Sequence, residues 1–593
     1  MATYNDRLII ANCSGFYGDR LSAAREMVQG GPIDVLTGDY LAELTMAILL
    51  KKQKKDPGGG FASTFLTQME EIMGECLDRK IRVVTNAGGL NPAGMAAALE
   101  KTAERLGLKP KIAYIEGDNL LPRLKELHEK GEALTHLDKG IDLADSGAEP
   151  ITANAYMGGW GIAAALEKGA DIVVTGRVAD AAVVAGPAAW HFGWEQDDWD
   201  RLSGAYAAGH IIECGAQATG GNYAFFEEVP SFNNVGFPIA EVYEDGSSVI
   251  TKHPGTGGLV SVGTVTAQLL YEISTPGYLT PDVIARFDTL ELVQEAVDRV
   301  RVQNTKGQPL PETTKVCINT LGLYRNMISV SLTGLDIEKK AAVVENAMFD
   351  SIGGRDQFQD VHVQLLRTDK PDPGTNDEAV AHLNITVMDS DPKKVGRSFT
   401  AKFIELALAN IPGFFGGWPS PGMTRAIVHW PALVSTRHIQ QKVVVGEETM
   451  VLDTPAPPDT PIDYEPAQIT IPQVPEENRV QAPLGRVFGA RSGDKGGNAN
   501  LGIWGKTPEA YAFLAKFLTI EKFKELLPDC AVYDIDRYEM PNLLALNFYI
   551  HGILGDGIAA SLRRDGQAKS LGEYLRMKVV EMPGSILPPE ARY

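Results

Sequence analysis

The feature that most narrows what this chain can fold into is a pattern repeated from the start to about residue 215. A short apolar run is followed by a polar, glycine-bearing loop and then by an amphipathic stretch of helical length. Residues 7–11 (RLIIA) lead into a loop carrying Gly15, Gly18, Asp19 and Arg20. Residues 81–85 (IRVVT) lead into Asn86-Ala87-Gly88-Gly89-Leu90-Asn91-Pro92, and residues 171–174 (DIVV) lead into Thr175-Gly176-Arg177-Val178-Ala179-Asp180. Further strands are expected at 34–37 and 111–115, with helices at 40–54, 63–79, 92–106 and 160–168. Strands alternating with helices of this length specify βαβ units and a parallel sheet. Ligands of such sheets bind beyond the carboxyl ends of the strands, where glycine lets backbone N–H groups approach them.

Farther along, the texture becomes mixed α/β. Residues 242–250, 264–271, 321–332 and 381–388 read as strands and 393–409 as a helix. Residues 453–483 are rich in proline and acids and read as an extended linker. The expected organisation is therefore a core over 1–452, with lobes of about 1–220 and 221–452, then the linker. A small α+β domain over 484–593 follows, with strands at 485–489, 531–538 and 543–550 and helices at 508–527 and 570–580. A chain of 593 residues exceeds what one hydrophobic core supports.

Bulk chemistry removes several function classes. A net charge of −21 argues against nucleic acid, whose phosphates need clustered Lys and Arg. Five dispersed cysteines form no CxxC pair, and ten scattered histidines form no H-E-x-x-H run, so no metal site is expected. No apolar run of about 18 residues is present, so no membrane association is expected and the cytoplasm is the expected compartment. A homo-oligomer is expected.

The loops supply the candidate site. Asp19, Asp180 and Glu213 are candidate proton carriers. Gly18, Arg20, Asn86, Gly88, Gly89, Asn91, Arg177 and Asn222 are candidate substrate-binding residues. The C-terminal stretch from 491 to 500 adds Arg491, Ser492, Asp494, Lys495 and Asn498 as a polar loop that covers the site or lies at an oligomer interface. Each has a plainer reading: Asn91 as a helix cap, Asp19 as a cap for a helix near Leu21, Arg177 with Asp180 as a surface ion pair. Cys214 reads as a buried structural thiol rather than a nucleophile. Gly159-Trp160-Gly161-Ile162-Ala163-Ala164 matches a relaxed dinucleotide fingerprint, although a glycine-rich helix start explains it more simply.

Taken in order, these loops, together with His210-Ile211-Ile212-Glu213-Cys214-Gly215-Ala216-Gln217, Gly255-Thr256-Gly257-Gly258 and the stretch from Val487 to Asn498, resemble the acyclic terpene utilisation family (AtuA). The resemblance implies a two-part architecture ending in a small ferredoxin-like domain. It also implies a role in catabolism of acyclic terpenoids such as citronellol and geraniol, whose acids are carried as CoA thioesters and carboxylated by geranyl-CoA carboxylase. It brings no catalytic residues with it. Three activities stay open: a cofactor-independent hydratase or lyase on a branched acyl-CoA or hydroxy acid, with CoA only as part of the substrate; a non-catalytic scaffold subunit; and an NAD(P)-dependent oxidoreductase.

Overall fold

A computed structural model describes residues 6–416, 422–458, 464–467, 469–474 and 478–588. The chain is mixed α/β. Strands β1 (Arg7–Asn12), β2 (Val35–Gly38), β3 (Arg82–Thr85), β4 (Ile112–Glu116), β5 (Pro150–Ala155) and β6 (Ile172–Thr175) supply the expected βαβ region. All but β5 form a parallel block in the order β1-β2-β3-β6-β4. These strands are nearly continuous apolar runs, as burial on both faces requires. Alternate side chains feed two cores. Val83, Ile172 and Val174 meet helices Ala23–Gly30, Ser63–Asp78 and Pro92–Leu106, while Val84 and Val173 meet Trp160–Glu167, Ala182–Phe192 and Trp199–Ile212.

Antiparallel strands extend the block to eleven. On one side come β7 (Pro238–Tyr243) and β8 (Ser248–Lys252), then Arg299–Gln303 and Glu291–Ala296. On the other come Gln440–Val445 and Glu448–Asp453. The expected single strand at 242–250 is therefore a hairpin turning at Asp245-Gly246. Residues 264–271, read above as a strand, fall mostly in a helix, Val262–Leu269. Ser261 starts that helix with a reciprocal capping box to Thr264, and a local cap of this kind overrides the β propensity of its valines and threonines.

Contacts divide the chain at places the sequence does not mark. One unit comprises Met1–Asn319 with His429–Tyr593, and the second is Thr320–Val428. The boundary expected near residue 220 falls inside the first unit, because β7 pairs with β1. The second unit is an antiparallel sheet built on Val380–Asp389, covered by Ile337–Ile352 and Arg397–Glu405 around Val330, Val344, Leu383, Ile385 and Phe399.

Residues 489–550 form a four-stranded antiparallel sheet in the order Gly489–Lys495, Asn498–Trp504, Ala545–Ile550, Ile535–Met540. The strand expected at 485–489 is displaced to Gly489–Lys495, since Leu484–Arg486 makes a 3-10 turn. Its neighbour is packed on helix Pro508–Phe517 around Phe488, Leu501, Phe513 and Phe548. The described part of residues 453–483 lies along the first unit, where Ala467 N donates to Asp288 O at 2.9 Å. Among the described residues no helix is long and apolar enough to cross a membrane.

Candidate functional site

The loops leaving β1, β2 and β6 open into one cavity of about 1,370 Å³. Its lining includes Asp19, Asp39, Glu43, Arg177, Asp180 and Glu213 from the α/β body and Arg491, Asp494, Lys495 and Asn498 from the C-terminal domain. A cavity with convergent charged groups above the carboxyl ends of parallel strands is where this architecture places ligand sites.

Arg177 anchors the floor. Its side chain is 2 % exposed, donates from Nη1 to Leu41 O at 2.9 Å and to Asp180 Oδ1 at 2.8 Å, and lies 4.3 Å from the Tyr156 ring centroid. The ion pair with Asp180 exists, but it is buried rather than a surface contact. Desolvation raises the Asp180 carboxyl pKa, and Arg177 only partly offsets it. Burial, reinforced by Asp180, pushes Asp39 well above the ordinary carboxylate range, and burial with Asp180 and Glu272 does the same to Glu213. Like charges in one low-dielectric space disfavour one another's ionisation, so all three carboxyls hold their protons to higher pH than a free carboxyl does. Among the described residues Glu213 Oε2 has no hydrogen-bond partner, and Oε1 lies 3.4 Å from His210 Nδ1. Burial holds that imidazole neutral, with its pKa lowered to about 4.

Two ion pairs frame these acids. Lys315 Nζ lies 2.8 Å from Glu43 Oε1. Burial is the largest single influence and opposes both charges, but the partner and the neighbouring groups together outweigh it, so Lys315 is raised and Glu43 lowered. Lys569 lies 3.2 Å from Glu272 and 3.3 Å from Asp494, whose pKa burial and Glu272 raise to about 6. Lys495 is different. Among the described residues its Nζ makes no ion pair or hydrogen bond, and burial with the neighbouring Lys315 charge lowers its pKa. The cavity therefore brings together carboxyls that hold their protons more tightly than usual and a lysine that gives up its proton more readily than usual.

Several candidates lie outside the cavity or bond within their own loops. Asn86 is buried outside the cavity: its Oδ1 accepts from Tyr40 N at 2.8 Å and its Nδ2 donates to Asp39 Oδ1, so it aims Asp39. Asn91 caps helix Pro92–Leu106, accepting from Gly94 N at 2.9 Å. A Cβ on Gly88 would lie 2.5 Å from Thr175 O, and Gly89 has φ +54°, so both serve a tight strand-to-helix connection. Arg20 turns away to Glu26 at 2.7 Å and Val235 O at 2.9 Å, and Gly18 (φ +109°) shapes the turn beside it. Asp19 lines the cavity, but its carboxylate accepts from Gly15 N and Arg20 N at 2.9 and 2.7 Å, which ties its own loop; Ser22, not Asp19, stands at the N-cap.

In the C-terminal domain the expected polar loop is a β-hairpin turning at Gly496-Gly497. Arg491, Asp494, Lys495 and Asn498 face the cavity, whereas Ser492 Oγ accepts from Gly572 N at 2.9 Å outside it. Asn222 lines the cavity with its side chain 3.4 Å from Gln217 Oε1. Cys214 also lines it, and burial keeps its thiol protonated. Sequence reading missed Asp39, Glu43, Tyr156, Glu272, Lys315 and Lys569. Asp39 was within reach, since it directly follows β2 at the carboxyl end of a strand in the parallel block, whereas Lys315 and Lys569 join only through tertiary contacts.

The Gly159 loop has the wrong context for a dinucleotide. It follows β5, which lies outside the parallel block and pairs with strand Thr313–Thr333. Its helix N-terminus is already occupied: Gly159 N donates to Asp282 Oδ2 at 2.6 Å, where a pyrophosphate would have to sit. Among the described residues no group of His, Cys, Asp or Glu is arranged to hold a metal ion.

The chain matches the family described as acyclic terpene utilisation family protein AtuA over residues 8–445, and the AtuA ferredoxin-like domain over residues 482–581. No curated protein matches it.

Proposed function

The chain belongs to the acyclic terpene utilisation family, and on that premise we propose that it is an acid–base lyase, adding or removing water on a branched acyl substrate held as a CoA thioester or free acid. The observation that carries this reading is the meeting in one cavity of Asp180 and Glu213, whose pKa values burial raises, with Lys495, whose pKa burial lowers. Removing water from a β-hydroxy acyl group needs a base at Cα and an acid at the leaving oxygen, with pKa values displaced toward each other. Lys495, in its neutral form, takes the Cα proton. As the Cβ–O bond breaks, Glu213 or Asp180 gives its proton to the leaving hydroxyl and water is released. Lys495 then returns its proton to the carboxylate, which restores both groups. Lys315, fixed by Glu43, and Arg177 supply positive charge to the enolate oxygen.

The test is solvent exchange. Purified protein incubated in D₂O with branched β-hydroxy acyl-CoA thioesters and the free acids should place deuterium at Cα, seen by proton NMR. Lys495→Met should abolish exchange, and Glu213→Gln should lower turnover by about 10²–10⁴-fold, the usual contribution of general acid–base catalysis. Substrates that bind without exchanging in the wild type would refute the lyase and leave a binding protein.

A further inference from the structure

A second cavity, of about 450 Å³, lies in the same unit, and Tyr156, Pro281 and Thr314 line both it and the catalytic cavity. Its volume is within the roughly 300–1,000 Å³ typical of small-molecule sites. Trp160, Trp190, Trp194, Ala163, Ala164 and Leu452 form its apolar surface. The buried polar side chains among its lining are already committed. The Asp282 carboxylate accepts from Gly159 N and Tyr206 OH, both at 2.6 Å, and Gln441 Oε1 accepts from Gly161 N at 2.9 Å. The hydroxyls of Thr314 and Thr436 donate to Tyr156 O and Glu312 O at 2.9 and 3.0 Å. Glu167 and Gln196 are exposed. A polar ligand would thus meet few unsatisfied partners, whereas a hydrocarbon would bury its surface against aromatic and alanine side chains.

We propose that this cavity is a tail subsite that takes the acyclic hydrocarbon end of a ligand whose polar end lies in the catalytic cavity. The assignment rests on the lyase reading only for what the polar end is. Each methylene seated there should raise affinity about fourfold, the yield of burying one such group. Ala163 and Ala164 set the room on the helix side, so a larger residue there should shorten the tail accepted.

The experiment uses the whole protein and a homologous series of neutral aliphatic alcohols, titrated calorimetrically. Expected are affinity rising with chain length and a loss of at least tenfold for the longest alcohol in Ala164→Leu. Trp190→Ala, which enlarges the cavity, should shift preference toward bulkier tails. Absence of alcohol binding, chain-length independence, or an unchanged affinity in Ala164→Leu would overturn the proposal. Failure of deuterium exchange with alcohol binding intact would instead refute the lyase alone.

Discussion

At the scale of single residues, burial decides which charges survive. Asp118, just past the end of β4, is 3 % exposed and accepts from Asn154 Nδ2 at 2.7 Å and from Arg177 N at 3.0 Å. Desolvation outweighs those bonds and raises its pKa from 3.8 to about 6. The native state therefore binds this proton more tightly than the unfolded chain does. The resulting stability is complete below about pH 4 and lost as pH rises to about 6, at most about 3 kcal/mol. Asp118→Asn should remove that part of the pH dependence. Thermal midpoints measured from pH 4 to 7 should fall less steeply for the variant than for the wild type, and parallel curves would contradict the assignment. Glu43 runs the other way: held below the usual range by Lys315, it contributes stability that is lost as pH falls through its lowered pKa.

At the scale of elements, strand ends and helix starts do most of the positioning. β2 delivers Asp39 and Glu43, β6 delivers Arg177 and Asp180, and the hairpin of Gly489–Lys495 with Asn498–Trp504 delivers Lys495 at its end. The helix Pro92–Leu106 shows a motif that looks functional but is architectural. Its proline sits in the first turn, and Asn91 accepts from Gly94 N while donating to Gly59 O at 2.9 Å. Asn91→Ala should lower stability by about 1 kcal/mol, as loss of an N-cap does, without changing turnover. Paired calorimetry and rate measurements check both halves. A fall in turnover with stability unchanged would return Asn91 to the site.

At the scale of the whole molecule, the small C-terminal domain completes the cavity of the α/β body. Trp504, Met540, Leu543 and Ala545 belong to the same apolar cluster as the parallel sheet. Buried Asn500 accepts from Glu272 N at 2.8 Å and donates to Leu270 O at 2.6 Å, fixing the hairpin against the segment that carries Glu272. Asn500→Leu should leave two buried backbone groups unpaired, at about 1–3 kcal/mol each, and weaken substrate binding without removing a cavity charge. Titration calorimetry on the folded variant checks this, and unchanged affinity would mean that the hairpin does not depend on the contact. The sequence by itself determined the βαβ region, the strand ends that carry ligand-facing loops, the small C-terminal domain and the family, because periodicity, glycine placement and ordered motifs are local and survive in one dimension. It also pointed to Arg177, Asp180, Glu213 and Lys495. Only the tertiary structure decided that Asn86 and Arg20 are supports, that residues 264–271 are mostly helical, and that Glu43 meets Lys315 across 272 residues. Those outcomes depend on which surfaces are buried together, and burial sets both the protonation of a carboxyl and the partner of a charge.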